Sequence, residues 1–401
     1  MNRKEFLQSA ALGTVVGGLF AGDTKAQEPM SAKVTEPLRF TSSPVLTNVS
    51  DDGVTLLIGV SGPSAVAVHF GEGAALDRVA CGEVGGLRSY EDRVHKLRLT
   101  GLKPATRYSY RVEVQAVTFH NAYKIERGEK ISTEVLEFKT LHSAGDDCRF
   151  VIWNDTHDRA DTLSAVHATT TTFKPDFLLW NGDISNDISR EEQFTTLFLS
   201  PGKQLPYAQH WPLMLVRGNH DLRGAAARLL PRYSDTPGGE PFYSFRQGPV
   251  AFIVLDTGED KPDSHPVYAG LSDFIAFRAR QAQWLAQEIE KPAIKSAKVR
   301  VVCCHIPLAW IRPGEVGWWC ADGARQWHDL LVKANISLVI SGHTHEWAHL
   351  SPTTDRPYHQ LIGGGSALKD ATITTGEFAK GKLHVALQSL SSGKELAKIE
   401  V

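Results

Sequence analysis

The stretch Arg149-Phe-Val-Ile-Trp-Asn-Asp-Thr-His157 decides the fold of the larger part of this chain. Its apolar run favours a buried strand, and an Asp-x-His pair follows the run almost at once. Further apolar runs at 177–180, 212–216, 250–255, 299–304 and 336–340 are separated by helical segments. These helices are predicted at 162–170, from about Arg190, at 222–230 and at 273–290, the last with an amphipathic pattern. Because strands alternate with helices, residues 147–401 are predicted to form a layered α/β domain.

Five short polar motifs lie just after these predicted strands. Open α/β sheets bind their ligands beyond the carboxyl ends of the strands, so we expect the motifs to meet in space. Their carboxylate, amide and imidazole groups, without a thiolate, suit Mn, Fe, Zn or a mixture of these ions. The motifs are Asp155-Thr156-His157, Gly182-Asp183, Gly218-Asn219-His220-Asp221, His305 and Gly342-His343-Thr344-His345.

A pair of divalent ions would need such a set. Two ions about 3.5–4 Å apart can clamp a phosphoryl group and ionise a water between them. One carboxylate must bridge the ions to offset their repulsion. The glycine before Asp183, Asn219 and His343 suits a sharp turn that presents the next side chain.

The five motifs, in this order and across the whole second domain, resemble those of the calcineurin-like metallophosphoesterase family. The resemblance implies a layered α/β sandwich of two mixed sheets and a hydroxide that bridges two metal ions and attacks phosphorus in line. It implies that His220 stays free of metal and assists the leaving group, and that Asp221 orients the ring of His220. It implies seven metal ligands: Asp155, His157 and His345 on the first ion, Asn219, His305 and His343 on the second, and Asp183 on both.

Residues 36–141 have a different pattern, with short β-branched or alternating runs between Gly, Pro and Asp turns, and predict an all-β domain. Leu102 and Pro104 shape a corner, after which Tyr108 or Tyr110 enters a strand and folds back. This resembles a fibronectin type III-like sandwich, specifically the N-terminal domain of purple acid phosphatases. It contains no cluster of acids, bases or metal ligands, so we expect a structural or positioning role.

The chain departs from purple acid phosphatases at two site positions. Those enzymes have Gly where His157 stands here, and a Tyr three residues after the bridging Asp, where this chain has Asn186. Without a phenolate ligand, we expect no purple charge-transfer colour.

The segment that follows His305 is punctuated by Gly and Pro and contains two adjacent tryptophans. One interpretation is that Trp318 and Trp319 wall a substrate pocket while Arg312 binds a phosphate oxygen. The other is that the two rings pack this loop onto the edge of the domain.

The N-terminus has the layout of a bacterial-type export signal, assigned to residues 1–27. Arg3 and Lys4 precede a short apolar stretch at 10–20, and a small-residue site, Thr24-Lys25-Ala26, follows. The basic pair resembles a twin-arginine signal with Lys in second place. The apolar stretch is shorter than a membrane span, although a frayed helix or membrane anchor remains the alternative. We therefore expect a periplasmic or extracellular protein with no membrane span after signal removal.

The formal net charge of −2 over 401 residues gives no basic field for a nucleic-acid backbone. The sequence thus predicts an exported hydrolase that needs two divalent metal ions and acts on a small phosphomonoester or phosphodiester. The alternative is a cell-surface binding module with a decayed metal site, which would predict missing ligands.

Overall fold

The computed structural model describes residues 37–309 and 318–401, without side-chain detail at 318–321. The predicted export signal at residues 1–27 lies outside the described residues. No helix within the described ranges is both long and apolar enough to cross a bilayer.

The first part of the chain is built from strands alone, as predicted. A six-stranded sheet has the order β10-β9-β3-β4, with β11 paired to β9 and β7 paired to β3, and β5 and β6 form a separate hairpin. The strands are β1 (Val45–Thr47), β2 (Gly53–Gly59), β3 (Ser64–Glu72), β4 (Arg78–Ala80), β5 (Glu83–Val84), β6 (Leu87–Arg88), β7 (Tyr90–Glu91), β8 (Val94–Thr100), β9 (Arg107–Asn121), β10 (Lys124–Ser132) and β11 (Leu136–Lys139).

The predicted corner is present at the start of β9. The hydroxyl of Tyr108 accepts a hydrogen bond from the backbone N–H of Lys103 at 2.9 Å. The hydroxyl of Tyr110 instead donates to the carbonyl of Gln209 at 2.8 Å, which ties β9 to the second part of the chain. Both tyrosine side chains are fully buried.

The second part alternates strands and helices, as predicted. Its strands are β12 (Cys148–Trp153), β13 (Phe177–Asn181), β14 (Leu213–Val216), β15 (Tyr243–Gln247), β16 (Val250–Val254), β17 (Val299–Cys303), β18 (Leu338–Ser341), β19 (Ala348–Leu350), β20 (His359–Ile362), β21 (Thr372–Ala379), β22 (Lys382–Ser389) and β23 (Glu395–Glu400). Its helices are α1 (Ala160–Phe173), α2 (Pro201–Gln204), α3 (Phe274–Glu288), α4 (Pro292–Lys295) and α5 (Trp318–Lys333).

Two mixed sheets pack face to face in this part, which confirms the predicted fold class. One has the order β15-β16-β17-β18-β20-β19, with parallel pairs from β16 to β20 and an antiparallel strand at each edge. The other contains the parallel strands β12, β13 and β14. Phe150 on the second sheet meets Phe252 on the first, with ring centroids 5.1 Å apart.

The larger sheet continues into the first part of the chain. Its order is β23-β22-β21-β12-β13-β14-β1-β2-β8, so three N-terminal strands extend the sheet that carries three of the five polar motifs. Thr47 pairs with Leu213 in parallel, and the N–H of Leu46 donates to the carbonyl of Ala208 at 2.9 Å. One buried apolar cluster includes residues from both parts. The predicted ranges 36–141 and 147–401 thus differ in pattern but share a sheet and a core.

Two predicted helices are not α-helical. The region near Arg190 leads into a π-helical turn at Thr195–Leu199, and the predicted helix at 222–230 is a 3-10 segment, Ala225–Arg232. Pro231 lies inside that segment and has no N–H for an α-helical bond. Helix α3 forms as expected, but its fully buried side chains include Arg278 and Gln281.

Candidate metal centre

The five polar motifs meet where the strands of the two sheets end. Asp155 follows β12, Asp183 follows β13 and Asn219 follows β14, all on the nine-stranded sheet. His305 follows β17 and His343 follows β18 on the six-stranded sheet that contains β15 to β20. The carboxyl ends of the parallel strands therefore bring together side chains that are far apart in the chain.

One group of possible ligand atoms consists of Asp155, His157, Asp183 and His345, all within 4.8 Å of one another. His157 Nε2 lies 3.4 Å from Asp183 Oδ2, and His345 Nε2 lies 3.5 Å from Asp155 Oδ1. His157 and His345 approach each other to 3.1 Å through their Nε2 atoms. A carboxylate-rich set of N and O atoms at this spacing fits a divalent cation.

A second group consists of Asp183, His305 and His343, with the same 4.8 Å limit. His305 Nε2 lies 3.2 Å from Asp183 Oδ2. Asn219 adjoins this group, since its Oδ1 is 3.0 Å from His343 Nδ1. All seven predicted ligands are therefore brought together, and Asp183 belongs to both groups.

The ring of His305 is oriented as a metal ligand. His305 donates through Nδ1 to the carbonyl of Asn181 at 2.9 Å, which leaves Nε2 facing the carboxylates. That buried Nε2 has no hydrogen bond among the described residues, so its lone pair is available to a cation. The observed donors fit the divalent ions that the motifs imply.

The electrostatics of the group agree with this fit. Burial lowers the pKa of His305, but the charges of Asp183 and Asp155 outweigh it and raise the pKa to about 10. Burial lowers the pKa of His343 to about 3, so that ring is neutral and able to bind a metal. Two buried carboxylates thus attract positive charge into the site, which divalent cations can supply.

Five of the seven predicted ligands have left-handed backbone conformations. The φ angles are 49° at Asp155, 44° at His157, 51° at Asp183, 72° at His343 and 58° at His345. Residues with a side chain rarely adopt this region, and such conformations cluster at functional sites.

The glycines before the ligands allow close approach as well as turning. A Cβ atom on Gly218 would lie 2.2 Å from the backbone N and Oδ1 of Asp183, and one on Gly342 would lie 2.2 Å from Oδ2 of Asp155. Of these three glycines, only Gly182 has a positive φ, 82°, so it also provides a backbone conformation that the turn requires and that other residues rarely adopt.

The glycine run after β20 also packs against the site. A Cβ on Gly363 would lie 2.2 Å from Asn154 Oδ1, whose amide donates to Asp155 Oδ2 at 2.7 Å. A Cβ on Gly365 would lie 2.8 Å from the Cβ of His345.

His220 belongs to neither ligand group. Its backbone N–H donates to Asp183 Oδ1 at 3.0 Å, and its ring donates through Nδ1 to the carbonyl of Asn186 at 2.8 Å. The guanidinium of Arg223 donates to the other ring nitrogen, Nε2, at 2.9 Å. The ring is therefore held beside the ligands by Asn186 and Arg223.

The predicted role of Asp221 needs correction. Its Oδ1 accepts the backbone N–H groups of Ile184 and Ser185 at 3.0 and 3.2 Å, and its Oδ2 accepts that of Gly218 at 2.9 Å. The carbonyl of Asn186, and not this carboxylate, holds Nδ1 of His220. Asp221 therefore links the two ligand-bearing turns. It accepts hydrogen bonds from N–H groups of both turns that would otherwise be buried without a partner.

Arg223 was not among the predicted site residues, although it stands only three residues after His220. Its charge is held by Glu259 and Asp260, each 3.1 Å from Nη2. Of the predicted substrate residues, Arg312 lies outside the described residues. Trp318 and Trp319 begin helix α5, and their side chains lie outside the described part of the chain.

A family model described as calcineurin-like phosphoesterase matches residues 148–347. This part of the chain belongs to that family. The match contains every candidate ligand from Asp155 to His345, and it confirms the resemblance inferred from the five motifs. The chain is thus a metallophosphoesterase by family.

Curated relatives of two kinds are similar to this metallophosphoesterase. The serine/threonine-protein phosphatase CPPED1 of Mus musculus is 30% identical over 141 residues, which is 34% of this chain and 42% of the relative. Purple acid phosphatase 23 of Arabidopsis thaliana is 24% identical over 351 residues, which is 75% of this chain and 68% of the relative. The chain spans 41–42% of the length of the CPPED1 proteins from Pongo abelii and Mus musculus.

Among solved structures, purple acid phosphatase PPD1 from yellow lupin (Lupinus luteus) seeds has a TM-score of 0.66 and 14% identity. The match covers 89% of this metallophosphoesterase and 73% of the lupin chain. Because the match extends over both parts of the chain, the purple acid phosphatase-like fold includes the N-terminal strands.

Proposed function

We propose that this metallophosphoesterase hydrolyses small phosphomonoesters or phosphodiesters with two divalent metal ions. The observation that carries the proposal is the position of Asp183, whose carboxylate belongs to both ligand groups. A carboxylate shared by two ions offsets their mutual repulsion, which is the requirement of a two-metal site. We propose Mn, Fe, Zn or a mixture of these, since the donors are N and O atoms without a thiolate.

The assignment of ligands follows the two groups. Asp155, His157 and His345 would hold the first ion, and Asn219, His305 and His343 the second, with Asp183 on both. Bound divalent ions supply Lewis-acid activation of the phosphate ester and of the attacking water.

The chain's own residues would act on the leaving group. Because the Nδ1–H of His220 is held by the carbonyl of Asn186, Nε2 is the ring atom that would face a departing oxygen. Arg223 donates to that same Nε2, so it brings a fixed positive charge to the same place. Arg223 would stabilise the charge on the oxygen that leaves phosphorus. His220 would act as an acid only when Nε2 is protonated, in which state Nε2–H replaces the hydrogen bond from Arg223 and points to that oxygen.

We also propose that the protein is exported to the periplasm or outside the cell, on the basis of the basic, apolar and small-residue pattern at residues 1–27. Fractionation of cells that express the full chain tests this. Recovery of the protein in the cytoplasm, with residues 1–27 still attached, would contradict it.

The alternative of a binding module with a decayed metal site predicts missing ligands, whereas all seven lie close together. The decisive experiment measures the metal content of the purified protein and its turnover on a panel of phosphomonoesters and phosphodiesters. We expect two ions per chain, loss of turnover on chelation, and recovery when Mn, Fe or Zn is restored. Metal binding without turnover on any ester would favour the binding module.

A further inference from the structure

A cavity of about 670 Å³ opens beside His220. It lies between the 3-10 segment Ala225–Arg232 and the segment 259–274, and Arg223 forms part of its wall. Arg223 also donates to His220 Nε2, so one wall residue of the cavity contacts the ring atom that would face the leaving oxygen. The cavity therefore adjoins the groups that would act on the leaving group.

The backbone beneath Arg223 is fixed in place. The N–H of Ile188 donates to the carbonyl of Arg223 at 2.8 Å, and the N–H of Ala226 donates to the carbonyl of Ile188 at 3.0 Å. Gly224 between them has a φ of 93°, and a Cβ there would lie 2.4 Å from the carbonyl of Ile188. This side of the cavity is therefore preformed, which reduces the entropy cost of binding.

Much of the wall is apolar and exposed. Val267 and Leu271 have relative exposures of 66% and 73%, although both line a concave surface. Exposed apolar side chains in a concavity of this size are typical of a ligand site. The apolar and aromatic wall residues are Leu222, Val267, Tyr268, Leu271 and Phe274.

Most charged groups in the wall already have partners. Arg217 pairs with Asp256 at 2.5 Å, and Lys261 pairs with Asp260 at 2.6 Å. Glu259 and Asp260 hold Arg223.

Arg228 differs from these groups, since it lines the cavity, is exposed, and forms no ion pair within residues 37–309 and 318–401. Its guanidinium is available to a ligand anion.

We propose that this cavity binds the leaving group of the substrate, and that this group is an apolar or aromatic body that carries a negative charge opposite Arg228. The apolar wall would bind the body, and the distance along the cavity from Arg223 to Arg228 would separate the ester from the second charge. The inference rests on the proposed phosphoesterase function and adds a substrate class to it.

Two aryl esters that differ by one charge test the role of Arg228. The ratio of kcat/KM for 4-carboxyphenyl phosphate to that for phenyl phosphate is measured in the wild type and in Arg228→Gln. We expect the ratio to fall about twofold to fivefold through KM, the range for an exposed ion pair. Arg228→Lys should restore part of it. Arg127→Gln, on the exposed strand β10, is the matched control and should leave the ratio unchanged.

A second variant tests the cavity itself. Ala225 is exposed and lines the cavity, so Ala225→Trp narrows it without disturbing the core. We expect KM for phenyl phosphate to rise about tenfold relative to that for ethyl phosphate, because the ring loses apolar burial. Equal thermal stability of the variants shows that folding is intact. An unchanged charge ratio in Arg228→Gln together with an unchanged ring preference in Ala225→Trp overturns the inference.

Binding without turnover separates this inference from the proposed function. Calorimetry compares 4-carboxybenzylphosphonate with benzylphosphonate on the metal-loaded wild type and Arg228→Gln. If no ester is hydrolysed but Arg228→Gln selectively weakens binding of the carboxylated phosphonate, the proposed function fails and the cavity assignment stands. If esters are hydrolysed and both phosphonates bind the two proteins alike, the cavity assignment alone fails.

Discussion

The ring of His220 donates through Nδ1 to the carbonyl oxygen of Asn186 at 2.8 Å. A carbonyl can only accept, so the bond fixes the neutral tautomer whose Nε2 is open to a donor, and Arg223 supplies one. The arrangement leaves His220 outside the metal ligands while it stands beside them. Because the acceptor is a backbone carbonyl, this support of the ring does not depend on the side chain of Asn186.

His220→Ala should separate acid assistance from metal binding. We expect a loss of about 10²–10⁴-fold for alkyl esters and a small loss for nitrophenyl esters, because a good leaving group needs no proton. Both metal ions should remain. Equal losses for the two ester classes would indicate an electrostatic role, and loss of metal without leaving-group dependence would make His220 a ligand. His120→Ala, in the N-terminal sheet, is the control.

Asp183→Asn should lower occupancy at both metal positions and reduce turnover more than about 100-fold. The substitution removes the charge that the two groups share. Metal analysis and kcat are the measurements. Asp187→Asn, an exposed carboxylate four residues further on, is the matched control. A variant at Asp183 with full metal content and near-normal turnover would disprove the bridging assignment.

Asp221→Asn should affect stability more than leaving-group preference. The amide would place its own N–H groups against backbone N–H groups of Ile184, Ser185 or Gly218, which leaves buried donors unsatisfied. We expect a decrease of about 1–3 kcal/mol in the free energy of unfolding. Urea denaturation measures it. Unchanged stability with a selective loss on alkyl esters would instead restore Asp221 as the residue that orients His220.

The iron-loaded protein should be colourless or pale. Asn186 occupies the position of the expected tyrosine ligand, and its Oδ1 faces His157 Nδ1 at 3.1 Å. An absorption spectrum of the protein loaded with iron tests this. An intense visible band that Asn186→Tyr does not strengthen would show that another phenolate reaches the metal.

Acid should destabilise the N-terminal part through His95. Burial lowers the pKa of His95 from 6.5 to about 4, and its ring lies between the hydroxyls of Ser64 and Ser89. The unfolded chain then binds a proton more readily than the folded chain between these values. The free energy of unfolding therefore has its full value, with respect to His95, above pH 6.5. It decreases as the pH drops towards 4, by about 3 kcal/mol at most.

Urea unfolding of the metal-free protein at pH 7 and pH 4.5 measures this effect without a contribution from metal release. His95→Gln should lose less stability than the wild type over this interval, and exposed His120→Gln should behave like the wild type. Identical pH dependence in wild type and His95→Gln would exclude His95 as the source.

The meeting of the five motifs could be predicted from the sequence because it is encoded locally. Each ligand follows an apolar run that forms a strand, so position in the chain determines position at the sheet edge. The tyrosine corner is also encoded locally, since the hydroxyl of Tyr108 bonds to the nearby backbone of Lys103. Pro231 follows the predicted helix at 222–230 directly and is a local signal against an α-helix in this segment. The prediction rested on the apolar pattern and did not take this proline into account.

Long-range features could not be predicted in this way. The pairing of Thr47 with Leu213 joins residues that are far apart in the chain, and neither strand's pattern specifies its neighbour. The hydrogen bonds of Asp221 depend on how two turns meet. Arg278 can be buried on α3 because Asp322 and two backbone carbonyls accept hydrogen bonds from its guanidinium. Such partners are visible only once the chain is folded.

The left-handed backbone at five ligands has a consequence for how this chain evolves. Each such residue costs about 1 kcal/mol relative to a glycine in the same place. Glycine at Asp155, His157, Asp183, His343 or His345 would relieve this strain but would remove a candidate ligand. Conformational stability and metal binding therefore oppose each other at these five positions, so a variant selected only for thermal stability should lose metal affinity.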